Sequence, residues 1–193
     1  MTSTDAVIRA DGPLLVFGGP YGNLQATEAV LAAAARRGIP PERVVCTGDL
    51  VAYCGDPSAT IACVRDAGIH VIMGNCDEQL AMSASDCGCG FPEGGTCERL
   101  SSAWFACADR DVAAEDRAWL AGLPRQLDIE MAGRRLRVIH GGTEVINQFV
   151  FATSPLDEKR RHLARVAADG CHGIVGGHCG MPFTQVIDGR LWH

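Results

Sequence analysis

Between residues 13 and 74 short apolar runs alternate with segments of helical spacing, and that alternation leaves few folds open. "PLLVFG" (13–18) is a continuous apolar run bounded by Pro13 and by Gly18-Gly19-Pro20, the pattern of a buried strand. "NLQATEAVLAAAARRG" (23–38) then spaces its apolar residues as a helix does, with Asn23 suited to the N-cap and Gly38 to the stop. "RVVCTG" gives a second strand, a helix is expected at about 58–67, and "HVIMG" gives a third strand. Strand, helix, strand, helix, strand requires crossover connections, so an α/β core is expected.

The alternation stops at "SASDCGCGFPEGGTC", whose glycines and proline predict a long excursion at about 84–97 above the sheet. Helices are expected around 98–107 and 111–121. "QLDIEMAGRRLRVIHGG" predicts a hairpin about Ala132-Gly133 that runs into His140. A helix at about 155–168, the strand "HGIVGG" and a strand pair about Asp188-Gly189 complete the chain. The stretch before Pro13 is expected to be loosely held. A length of 193 residues fits a single domain over 1–193, with 84–97 as a glycine- and cysteine-rich lid insertion.

Composition excludes several functions. A formal charge of −6 without a concentrated basic surface argues against sequence-specific nucleic-acid binding, and the runs "GRRLR" and "EKRRH" read as solvated faces. No apolar run approaches the length of a membrane span, and the N-terminus lacks the layout of a secretory signal, so a cytoplasmic location is expected. In that setting the ten cysteines read mostly as reduced, packing thiols. His70 and His172 begin strands and read as structural, and His162 sits in a charged helix and reads as solvated.

Polar residues collect at the ends of the expected strands. Asp49 follows "VVCTG", Asn75 follows "HVIMG", His140 follows "LRVI" and His178 follows "GIVGG". In α/β sheets such ends gather where ligands bind. A carboxylate, an amide oxygen and two imidazoles make a mixed O/N shell suited to a divalent ion such as Mn, Fe or Zn, and the flanking glycines allow tight turns beside it.

In these blocks the chain resembles the calcineurin-like metallophosphoesterases, particularly the small bacterial members. "LLVFGGPYGNLQA" is similar to the family's first block, "GDLVAYCGDP" to the second, "GNCDE" to its Gly-Asn-His-Asp/Glu block, "VIHGG" to the single-His block and "VGGHCGMPF" to the closing Gly-His-x-His block. The resemblance implies a four-layer αββα sandwich, here lacking C-terminal strands and so exposing a sheet edge, which makes a second copy of the chain a candidate partner. It implies metal-dependent hydrolysis of phosphomonoesters or phosphodiesters, with a phosphorylated small molecule or nucleotide-like substrate.

The resemblance also implies two ions. The ligand positions of the second, Asp49, Asn75, His140 and His178, are all filled. Of the first, only the bridging Asp49 remains, because Gly19, Tyr21 and Gly180 stand at the other positions. One ion is therefore expected, and activity that is weak or mononuclear. The family's active-site His falls at Cys76 with its acidic neighbour retained as Asp77, so Asp49, Cys76 and Asp77 are the catalytic candidates. Tyr21, Asn23, Cys54, Asn147 and Cys179 are candidates for substrate contact or for rebuilding the altered site. Two other readings stay open: a non-catalytic ligand-binding or scaffold protein derived from an enzyme, and a cysteine-assisted metal protein in which Cys76, Cys179 and Cys54 add thiolates.

Overall fold

Two β-sheets pack face to face in the computed structural model, which describes residues 7–193. The smaller sheet holds β2 (Leu15–Phe17), β3 (Val44–Cys46) and β4 (His70–Val71), all parallel. The larger has six strands in the order β1-β5-β6-β7-β9-β8, built from β1 (Val7–Ala10), β5 (Gln126–Met131), β6 (Arg134–Ile139), β7 (Gly173–Gly176), β8 (Gln185–Ile187) and β9 (Arg190–Trp192). The expected hairpins are β5–β6 and β8–β9, both antiparallel. β1 lies within the stretch expected to be loosely held; it pairs in parallel with β5, Ile8 opposite Ile129, and Ile8 enters the core. The rest of that stretch up to residue 6 lies outside the described residues.

Side-chain alternation along the strands builds the layers. In β3, Val45 points between the sheets while Val44 and Cys46 point to the helices beyond; in β6 and β7, Val138 and Val175 point inward while Ile139 and Ile174 point away. Val45, Ile72, Leu127, Ile129, Val138 and Val175 make the seam between sheets. Each such side chain, fully buried, contributes roughly 1.5–3 kcal/mol. On the small sheet's outer face lie α1 (Leu24–Arg36), α2 (Pro57–Asp66), α3 (Asn75–Ala81), α4 (Thr96–Asp111) and α5 (Ala114–Ala121); on the large sheet's outer face lies α6 (Leu156–Ala168). The four-layer αββα sandwich is thus present.

Four expectations about polar residues change. His162 is buried, its Nδ1 2.8 Å from the Thr143 hydroxyl and its ring against Trp192. Neither basic run is wholly a solvated face. Arg137 is buried opposite Asp128 in the β5–β6 register and bonded to it, because that face of the sheet is roofed by α6. Lys159 is buried too, its ammonium donating to the Ala152 carbonyl at 2.6 Å and to Gln185 Oε1 at 2.8 Å. Lastly, Cys87 and Cys89 are joined by a disulfide.

Candidate metal centre

The ends of β3, β4, β6 and β7 meet where the two sheets adjoin, and each delivers one of the four expected polar side chains. Asp49 Oδ2 lies 3.3 Å from His140 Nε2 and 4.0 Å from His178 Nδ1, and the two ring nitrogens are 3.1 Å apart. Asn75 Oδ1 is 3.1 Å from His140 Nε2. The ligand atoms of Asp49, His140 and His178 all lie within 4.8 Å of one another, and among the described residues this is the one group of three or more His, Cys, Asp or Glu so placed.

The chain holds three of the four donors in a ligand-ready orientation through hydrogen bonds from behind. His140 Nδ1–H donates to the Thr47 carbonyl at 2.6 Å, which leaves the Nε2 lone pair facing the cluster. The Asn75 amide nitrogen donates to the Cys87 carbonyl at 3.0 Å, so its oxygen turns toward His140. The Cys76 N–H fixes Asp49 Oδ1 at 3.1 Å and leaves Oδ2 free toward the histidines. Asp49 and His178 have φ of +59° and +60°, a region that costs a non-glycine residue about 1–2 kcal/mol and persists where surrounding contacts impose it.

Electrostatics follow the same arrangement. Burial alone would push Asp49 up, but His140 and the Cys76 N–H outweigh it and hold the carboxyl below its usual range. Burial would lower His140, yet Asp49 dominates and raises it. His178, buried and beside His140, is pushed down to about 4 and is neutral at pH 7. A divalent ion fits this donor set: two neutral-capable imidazoles, one carboxylate and one amide oxygen converge, with the far sides of His140, Asp49 and Asn75 already fixed.

The remaining candidates fall into distinct places. Asp77 does not reach the cluster; its carboxylate accepts backbone N–H bonds from Asp49 at 2.8 Å, Leu50 at 2.8 Å and Gly74 at 3.0 Å, clamping both ligand loops. Burial and Asp49 push it up to about 6. Cys76 is buried with its sulfur 3.9 Å from Cys89 Sγ, and burial with Asp49 and Asp77 nearby raises its thiol well above the usual range. Asn23 caps α1, its Oδ1 accepting from the Ala26 N–H. Asn147 donates to the Gly88 carbonyl at 2.7 Å. Cys54 is exposed, and Cys179 directs its sulfur to the Met181 carbonyl at 3.3 Å.

Tyr21, Cys179, Gly19 and Gly180 line a 330 Å³ cavity that His178 borders. Its Tyr21 wall continues outward through Tyr53, ring centroids 4.9 Å apart, to Trp104 at 5.2 Å. Sequence reasoning missed three contributors. The Thr47 carbonyl is backbone and leaves no trace in residue type. Phe149, whose ring lies 4.1 Å from that of His178, reads in sequence as one apolar residue of a loop. α3 was hidden because its first turn, Asn-Cys-Asp-Glu, looks like a polar turn after a strand, although Asp77 and Glu78 are the acidic first-turn residues a helix favours.

The profile of the calcineurin-like phosphoesterase superfamily domain matches residues 22–192. Among solved structures, a hypothetical protein from Pyrococcus horikoshii OT3 is similar at 17% identity with a TM-score of 0.74, covering 93% of this chain and 74% of that one. A metallophosphoesterase from Sphaerobacter thermophilus is similar at 21% identity with a TM-score of 0.62, covering 93% and 74%. At those identities the likeness establishes the fold alone. No curated protein matches this chain.

Proposed function

The chain belongs to the calcineurin-like phosphoesterase superfamily, and on that premise we propose that it hydrolyses phosphate esters with one divalent ion, Mn, Fe or Zn, held by Asp49, His140, His178 and the Asn75 oxygen. The observation that carries this reading is the convergence of three ligand atoms within 4.8 Å, with the His140 tautomer fixed from behind by Thr47. When bound, such an ion supplies Lewis-acid polarisation of a phosphoryl oxygen and offsets its charge.

The chain's own residues do the positioning. Asp49 presents one oxygen because Cys76 N–H retains the other, and Asp77 fixes the backbone of both ligand loops at once. Cys76 is a weak replacement for an active-site imidazole: its thiol stays protonated at neutral pH, and its sulfur lies against Cys89. Little proton transfer to a leaving group comes from it, which favours substrates with acidic leaving groups and fits slow turnover.

The cavity bordered by His178 takes the phosphorylated small molecule, with Tyr21 and Tyr53 as an aromatic wall for a nucleotide-like group. Residues 84–97 act as its lid, tied to the loop after His140 through Asn147 and Gly88.

The test pairs metal stoichiometry with turnover. Protein exchanged against Mn should hold one equivalent and release nitrophenol from p-nitrophenyl phosphate or bis-p-nitrophenyl phosphate, and His140→Ala should lose both. One equivalent of metal with no release above the His140→Ala background would replace hydrolysis with ligand binding. Two equivalents would show that Tyr21 or the cysteines rebuild the altered shell.

A further inference from the structure

The cavity beside the metal centre is lined without charge. Among the described residues around its 330 Å³, none is Asp, Glu, Lys or Arg, although 21% of the chain is charged. Val16 and Val175 from the seam between the sheets, with Val150 and Phe183, supply apolar walls. Its size is that of a small-molecule site, and it offers no counter-charge to an ionised group.

Two buried polar groups in this lining have no partner. Trp192 is 2% exposed and its indole N–H bonds to no described residue; a Cβ built on Gly176, also in the lining, would stand 3.8 Å from that Nε1. Thr47 is 3% exposed, and its hydroxyl likewise bonds to no described residue. A Cβ on Gly177 would meet that hydroxyl at 2.6 Å and one on Gly18 would come closer still, so the two glycines keep it uncovered. Both atoms stay open to the cavity, whereas the unpaired Trp104 Nε1 is sealed away. Thr47 stands beside the ligands, since its carbonyl holds His140, while Trp192 lies on β9, one strand further out than His178 on the end of β7. A buried donor without a partner forfeits its solvation, and a ligand oxygen that accepts from it restores that loss.

We propose that this cavity is the subsite for the organic group of the ester, and that the group is uncharged and chiefly apolar, of the substituted aryl class, with an acceptor that takes the Trp192 indole N–H. The Thr47 hydroxyl serves the end that carries the phosphate. A second ionised group on the substrate would lose its hydration against these walls with nothing to offset the loss, so bisphosphates and phosphorylated acids are poor substrates. That the bound group belongs to an ester rests on the phosphoesterase reading above; the preference of the cavity does not.

The first experiment needs no metal. The indole N–H resonances of Trp104, Trp119 and Trp192 are followed by NMR in the full-length, metal-free protein as acetophenone is added, an uncharged aryl ketone. The Trp192 signal is identified by its loss in Trp192→Phe, or by elimination from Trp104→Phe and Trp119→Phe where that variant fails to fold. It should move downfield and saturate at millimolar acetophenone, as a fragment of this size binds, while the other two stay in place. Benzoate, of similar shape but ionised, should bind at least tenfold more weakly. An unmoved Trp192 signal, or equal binding of benzoate, would overturn the proposal. Gly176→Val, in an extended strand with room for its Cβ, should abolish acetophenone binding and keep one equivalent of Mn; unchanged acetophenone binding would place it elsewhere and overturn the subsite. Where Gly176→Val fails to fold, the wild-type signals decide.

The second experiment compares KM for p-acetylphenyl phosphate and p-carboxyphenyl phosphate with the Mn-loaded protein. The ketone should have a KM at least tenfold lower, and Gly176→Val should remove the difference. Equal KM values in the wild type would show that the ester's organic group lies outside the cavity and overturn the subsite, leaving hydrolysis intact. Acetophenone bound at Trp192 with neither ester hydrolysed would overturn the phosphoesterase reading and leave the cavity as a site for uncharged aryl ligands.

Discussion

The phenol of Tyr21 occupies the space into which a side chain at Gly19 would project: a Cβ built on Gly19 would stand 2.6 Å from the Tyr21 hydroxyl oxygen and closer still to its ring. Two of the altered ligand positions are thus one steric unit. Gly180, the third, has open space around its Cβ position.

This pairing predicts strong coupling between substitutions at 19 and 21. Gly19→Asp alone forces the half-buried Tyr21 ring to move and places a non-glycine residue at φ +57°, and should cost about 2–4 kcal/mol. Tyr21→His removes the obstructing ring, so the double variant should recover at least 1 kcal/mol of the sum of the single losses. Urea denaturation of the four proteins measures this; additive losses would show that Tyr21 swings clear at no cost. Adding Gly180→His to the double variant should raise Mn stoichiometry from one toward two.

Ion binding should depend on pH through His140. Its pKa is raised in the metal-free protein, where burial lowers it but Asp49 more than compensates, so near pH 7 a proton occupies part of the population at Nε2. An ion must displace that proton. His178, pushed down to about 4, is already neutral and gives up none. Mn affinity should therefore rise with pH through neutrality and level off once the raised pKa of His140 is passed. Calorimetry in two buffers of different ionisation enthalpy should count up to one proton released per ion near pH 6.5, falling toward zero at higher pH. A count near zero at pH 6.5 would remove the His140–Asp49 proton from the site.

Much of this was legible because the strands carry their own punctuation. Asp49, Asn75, His140 and His178 each follow an apolar run and a glycine or strand end, and the topology brings those ends together. What escaped was set by contacts distant in sequence. His162 and Lys159 look solvated in a charged helix, yet Thr143, Trp192, Ala152 and Gln185 close around them. Val7–Ala10 is four residues with two exposed side chains, too short to read as a strand until β5 pairs with it. The Cys87–Cys89 link was obscured by its sequence context, since a chain read as cytoplasmic gives no reason to expect a disulfide.

Asp77 should matter to stability more than its distance from the ion suggests. Asp77→Asn keeps the shape but offers one oxygen and one NH₂ group to three backbone N–H donors, leaving at least one of those of Asp49, Leu50 and Gly74 facing another donor. The expected loss is about 2–3 kcal/mol, because a buried donor left unpaired forfeits its solvation. For a chain of this length that lowers Tm by roughly 5–10 °C. Scanning calorimetry checks it, and an unchanged Tm would mean the ligand loops hold their shape without the carboxylate.

Gly74 should be the site's least replaceable small residue, because β3 and β4 deliver their ligands through a contact with no room for a methyl group. A Cβ at Gly74 would lie 2.9 Å from Asp49 Cγ and nearer to other Asp49 atoms, and one at Gly48 would lie 2.8 Å from the Gly74 Cα. The atoms nearest to that Cβ position all belong to Asp49, a ligand whose carboxylate and backbone are already fixed by Cys76 and Asp77, so Asp49 itself must yield. Gly74→Ala should cost about 1–3 kcal/mol by overpacking and weaken Mn binding at least tenfold. Gly38→Ala separates this from a general intolerance of alanine: Gly38 has φ +65° with open space around its Cβ position, so it bears only the backbone cost of about 1–2 kcal/mol. Its Mn affinity should stay at the wild-type value. Equal Mn affinity in the two variants would show that the Gly48–Gly74 contact holds the fold without aiming Asp49.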